Sequence, residues 1–96
     1  MVVRLIVIYD VSDDRDRLRL ADTLKRLGLV RIQRSAFVGR GGLALAKDVV
    51  RSARRYVRGA ADSLIVFVVP NQSLRRALVL GSPMAPLEGE APYAVL

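Results

Sequence analysis

Two kinds of pattern alternate along the chain. Some runs are apolar on both alternating faces, and some segments repeat their apolar residues every three or four positions. The first run, Val2 to Asp10, reads Val-Val-Arg-Leu-Ile-Val-Ile-Tyr-Asp and is apolar on both faces except at Arg4. Such a Val- and Ile-rich run predicts a strand covered on both sides, in the middle of a sheet. Leu64 to Val69 repeats the pattern and closes at Pro70. Between the two, Ser12, Asp13 and Asp14 are candidate caps of a helix that runs to about Leu27 and stops at Gly28. Leu20, Leu24 and Leu27 form its apolar stripe with Ala21 beside them, while Arg15, Arg19, Asp22 and Arg26 share another face. From Leu29 to Arg40, Val30, Ile32, Ala36 and Val38 alternate with polar positions, which is strand-like. The alternation is weakest at Gln33 to Ser35, where a tight hairpin and a sharp kink both fit. Gly39, Gly41 and Gly42 read as a turn, because they lack the spacing and context of a phosphate-binding loop. A second helix is expected from Leu43 to Arg58, with Leu43, Ala46, Val49, Val50, Ala53 and Val57 on its stripe. Lys47, Arg51, Arg54 and Arg58 recur on another face beside Arg55, with Asp48 as the single acid. Leu74 to Leu80 fits a strand or a short helix ending at Gly81.

The order strand, helix, strand, strand, helix, strand, plus a C-terminal extra, predicts an α+β, ferredoxin-like βαββαβ sandwich with both helices on one side of an antiparallel sheet. Residues 1–81 form the expected domain. Residues 82–96, with Pro83, Pro86, Gly89 and Pro92, form a tail whose end, Tyr93 to Leu96, is a candidate edge strand or dimer arm. Helices on one face leave apolar strands open on the other. A large exposed apolar face predicts a second copy stacked on it, hence a two-fold homodimer.

Composition narrows the chemistry. The 96 residues include no Cys and no His. Disulfides, thiolate metal sites, zinc centres of the usual kind and His-based acid–base catalysis are excluded or nearly so. Phosphodiester chemistry would then need a carboxylate-bound hard metal or another type of base. The net charge of +7 points to a polyanionic partner, with a solvated surface adapted for solubility or heat as the competing reading. The N-terminal apolar run is too short to span a bilayer and lacks a signal-cleavage site, so the expected location is cytoplasmic with no membrane partner. Asp10, at the exit of the most apolar strand, is the candidate metal or acid–base residue, or else a simple strand end. Asp13, Asp14 and Asp16 are assigned to capping and solvent.

Three segments in order, Ile-Val-Ile-Tyr-Asp-Val-Ser-Asp-Asp, the Arg-rich helix ending Leu-Gly, and Val-Arg-Ile-Gln-Arg-Ser-Ala-Phe-Val-Gly, resemble the small CRISPR-associated endoribonuclease family, the smaller of the two core spacer-acquisition proteins. Leu-Ile-Val-Phe-Val-Val and Val79 to Gly81 also fit, so the resemblance spans roughly residues 1–81. It implies a homodimer, Mg²⁺-dependent cleavage of single-stranded RNA or of DNA, and assembly with the CRISPR-associated integrase. It further implies Asp10 as metal ligand and catalytic residue and Tyr9 as its active-site companion. Arg17, Arg19, Arg31 and Phe37 are the implied nucleic-acid contacts, with Ser35 and Phe37 as the Ser-x-Phe motif. Val38 stands where the family often has Glu. The competing function is a non-catalytic nucleic-acid scaffold of the integration complex; a small-molecule regulatory module is disfavoured by the charge.

Overall fold

The computed structural model describes residues 2–87. Its elements are β1 (Val3–Asp10), α1 (Asp14–Arg26), β2 (Val30–Gln33), β3 (Ala36–Arg40), α2 (Leu43–Ala53), a 3₁₀ turn (Arg54–Tyr56), β4 (Ser63–Pro70) and α3 (Asn71–Arg75). The strands form one antiparallel sheet in the order β2-β3-β1-β4, the expected ferredoxin-like arrangement. A C-terminal extra strand at Tyr93 to Leu96 would lie outside the described residues.

Local chemistry sets the element ends. Asp13 caps α1, its carboxylate accepting from the Asp16 N–H at 2.9 Å, so one orphan donor of the first turn is satisfied. Gly28, at φ 90°, reverses the chain after Leu27, a conformation that glycine adopts without a Cβ penalty. The weak stretch at Gln33 to Ser35 is a hairpin: β2 and β3 pair antiparallel with a bulge between Arg31 and Gln33. Gly39 belongs to β3 rather than to the turn. A Cβ there would come within 2.9 Å of Leu29 Cγ, so glycine lets Leu29 seat against the strand.

Two expectations need correction. The second helix does not run to Arg58; α2 ends at Ala53, tightens into the 3₁₀ turn and leaves helical geometry at Val57, φ −106° and ψ 78°. The reason is tertiary, since Arg58 turns towards Asp16 on α1. The other concerns β4, which is apolar on both faces yet stands at the sheet edge. Its pattern reflects two half-covered faces, not a central position.

The main core lies between sheet and helices. Leu5, Val7 and Tyr9 of β1 and Phe37 of β3 meet Leu20, Ala21 and Leu24 of α1 and Ala46, Val49 and Ala53 of α2. The other face is covered only in part: Ile32, Ala36 and Val38 are buried with Leu74 of α3, and Ala85 and Leu87 pack against them. Met84 donates its N–H to the Ile32 carbonyl at 2.8 Å, which ties this segment to β2. On the β1–β4 side of the same face Ile8 stays 38% exposed, Ile65 47% and Phe67 46%. Ile8 pairs with Ile65 and Ile6 with Phe67, so these side chains share one face.

Candidate functional site

Asp10 is the last residue of β1 and is exposed. Period-two geometry puts it on the half-covered face, with Ile6 and Ile8. It stands opposite Ser63 on β4, while the β1–β3 register ends two residues earlier at Ile8 and Ala36. Among the described residues no hydrogen bond or ion pair engages its carboxylate. A carboxylate offered by a rigid strand end, with its lone pairs free, is a hard oxygen donor suited to a divalent cation. No group of three or more His, Cys, Asp or Glu that could hold a metal ion is gathered among the described residues. The donor chemistry fits Mg²⁺, which keeps several waters and takes one or two carboxylates.

Tyr9 faces the opposite way. It is 6% exposed, in the helix-side core, its ring 6.2 Å from that of Phe37. Its hydroxyl donates to the Arg34 carbonyl at 3.4 Å. Burial pushes the phenol pKa up, partly offset by the nearby guanidinium groups of Arg31 and Arg17. Adjacent strand residues point to opposite faces, so Tyr9 and Asp10 lie on opposite faces of the sheet. Phe37 is 0% exposed and its ring lies in the helix-side core.

Arg31 lies over the Phe37 ring at 5.6 Å and donates to the Arg34 carbonyl from Nε at 3.1 Å and Nη2 at 2.6 Å. It therefore closes the β2–β3 turn from its own strand. Arg17 donates from Nη1 to the Val11 carbonyl at 3.2 Å and pairs with Asp14. Tyr9, Arg17, Arg31 and Phe37 are thus brought together around the carboxyl end of β1. Arg19 is not; it is exposed on α1 and lies near Tyr56. The neighbouring Thr23 lowers the Tyr56 phenol pKa, and the Arg55 guanidinium sits 5.9 Å over its ring.

Asp16 is not a solvent-facing acid. It is 3% exposed, and Arg58 grips it from Nε at 2.9 Å and Nη2 at 3.3 Å. A buried carboxylate needs such a partner. Asp62 was not singled out from sequence at all. Its Oδ1 accepts from the Ser12 N–H at 3.0 Å and the Ser12 hydroxyl at 2.9 Å, and its Oδ2 accepts from the Gly59 N–H at 2.8 Å. These bonds to the ionised form hold its pKa below the usual carboxylate value.

The sheet order, with α1 and α2 on one face, defines a small ferredoxin-like protein with an exposed carboxylate at the mouth of β1. The family model "CRISPR associated protein Cas2" matches residues 1–77. The chain is 42% identical over 79 residues to CRISPR-associated endoribonuclease Cas2 2 of Pyrobaculum aerophilum, covering 82% of this chain and 87% of that protein. It is 35% identical over 83 residues to CRISPR-associated endoribonuclease Cas2 of Aeropyrum pernix, covering 86% and 90%. A CRISPR-associated endonuclease Cas1/endonuclease Cas2 fusion of Thermoproteus tenax shares 40% identity over 74 residues, 77% of this chain and 28% of the fusion. Among solved structures, a hypothetical protein of Thermus thermophilus superposes with a TM-score of 0.73 at 32% identity, covering 90% of this chain and 99% of that one. A Cas2 crystal structure gives 0.72 at 25% identity, covering 95% and 100%. The chain belongs to the CRISPR-associated Cas2 family. Among the described residues no helix is long and apolar enough to cross a membrane.

Proposed function

We propose that this chain is a Mg²⁺-dependent endonuclease of single-stranded RNA or DNA that acts as a homodimer, together with the CRISPR-associated integrase, in the acquisition of new spacers. The observation that carries the reading is the Asp10 carboxylate, free of partners among the described residues at the end of an interior strand. The names of the relatives support the endoribonuclease activity, and the fused relative supports the integrase partnership. In this reading Asp10 holds the cation, which would supply charge stabilisation and an activated water when bound. Arg17 and Arg31 keep positive charge near the strand exit, where it opposes the negative charge developing on a phosphodiester. Tyr9 contributes by fixing the β2–β3 turn through the Arg34 carbonyl, not by touching substrate.

The homodimer rests on the exposed Ile8, Ile65 and Phe67 beside β4, the edge strand of the sheet among the described residues. A stacked copy would cover them and could bring a second Asp10 towards the first, giving the two-carboxylate set that Mg²⁺ accepts. Sedimentation equilibrium at micromolar concentration is expected to give the mass of a dimer, and a clean monomer mass would overturn this arrangement.

The direct test of function is cleavage of single-stranded RNA and DNA by purified protein. Products are expected with Mg²⁺ and none in chelator. Binding in chelator should weaken steeply as salt rises, because each phosphate neutralised by Arg or Lys releases counterions. Salt-sensitive binding without cleavage would favour the scaffold reading, which the lack of any group of three or more His, Cys, Asp or Glu among the described residues also supports.

A further inference from the structure

The β1–β4 ladder ends at the pair Asp10 and Ser63, and β3 has already left β1, its last bond there being Tyr9 N–H to the Ser35 carbonyl at 3.1 Å. Asp10 is therefore held from one side only, at a point where a strand end would fray. The neighbouring residue, Asp62, continues the connection by side chain. It takes both the N–H and the hydroxyl of Ser12, two residues beyond Asp10, on one oxygen, and the Gly59 N–H on the other. Asp62 donates its own N–H back to the Gly59 carbonyl at 3.1 Å, which closes the turn that carries it. A Cβ at position 59 would lie 2.8 Å from Asp62 Oδ2, so this close seat needs glycine. One residue before, Arg58 reaches Asp16 in the first turn of α1. The segment 58–62 thus holds the loop between β1 and α1 at Ser12 and the first turn of α1 at Asp16.

We propose that Asp62 is a positioning residue for the Asp10 site: by pinning Ser12 it fixes the direction in which β1 offers the Asp10 carboxylate. The proposal rests on the metal-dependent reading above. Asp62 touches neither substrate nor cation; it acts through the loop. Groups that orient a metal ligand, without binding the metal, commonly set its affinity.

The test compares wild type with Asp62→Ala and Asp62→Asn. The amide keeps an oxygen for Ser12 but loses the acceptor for Gly59, so Asp62→Asn should be the milder variant. In the metal-free protein, amide exchange at Ser12 should quicken roughly tenfold in Asp62→Ala, the factor that loss of one hydrogen bond carries. The Mg²⁺ concentration for half-maximal cleavage should rise about tenfold or more, with most of the rate regained at saturating Mg²⁺, and Asp62→Asn should fall between. Unchanged exchange at Ser12 overturns the proposal. So does an unaltered Mg²⁺ requirement in an Asp62→Ala protein that cleaves, even if it melts at a lower temperature, for then Asp62 only stabilises. Wild-type protein with no Mg²⁺-dependent cleavage overturns the functional reading and this one with it. Should Asp62→Ala fail to fold, Asp62→Asn carries the same two measurements.

Discussion

Asp10→Asn is expected to lower Mg²⁺-dependent cleavage by at least about a hundredfold, since losing a ligand should exceed the ~10–100-fold that altering its supporting residues costs. The substitution keeps size and shape and removes the charge that holds a hard cation. Folding should be untouched, because the carboxylate is exposed and engages no partner among the described residues. Nucleic-acid binding in chelator should also persist. If the dimer sets two Asp10 side chains near each other, the neutral variant should melt slightly higher than wild type without metal, since like charges repel. Asp14→Asn is the comparison; Asp14 is exposed on the first turn of α1 and paired with Arg17. Cleavage by Asp10→Asn at the wild-type rate would show that the metal site lies elsewhere.

The second large effect is on stability. Phe37→Ala should cost roughly 3–5 kcal/mol, the usual range for emptying an aromatic site in a core. Phe37 is wholly buried, stacks on Tyr9 and supports the Arg31 guanidinium. The loss should appear as a lower midpoint in urea unfolding. Phe37→Leu refills most of the volume, and its folded form should bind nucleic acid as wild type does. Weakened binding by a well-folded Phe37→Leu would instead assign the ring to the nucleic-acid surface and require β3 to expose it.

The sheet order and the helix-side core were legible because local signals agreed with each other. The Val- and Ile-rich run of β1, the Asp13 cap and the Gly28 stop each have one physical reading that long-range packing had no cause to override. Asp10 was legible for the same reason, as a carboxylate where a strand ends. The opposite facing of Tyr9 was available too: the two-residue period of a strand already separates neighbours, and the family motif drew them together. Asp16, Arg58 and Asp62 were out of reach. Their contacts join residues 42 and 50 positions apart, and no local periodicity distinguishes such an acid from a solvated one. The same limit hid the early end of α2, whose last turn yields to the Arg58–Asp16 pair.

The pairing of β1 with β4 also governs how the domain can be made. Val3 lies against Pro70 and Asp10 against Ser63, so the central strand completes its ladder only with the last strand of the sheet. During synthesis, β1 and the hairpin of β2 and β3 emerge first and leave one edge of the central strand bare. Strand pairing over such a separation is slow compared with helix formation. A nascent chain halted before Ser63 would expose that edge together with Ile6 and Ile8, a template for unwanted strand pairing. Folding is therefore tied to release of the β4 segment from the ribosome.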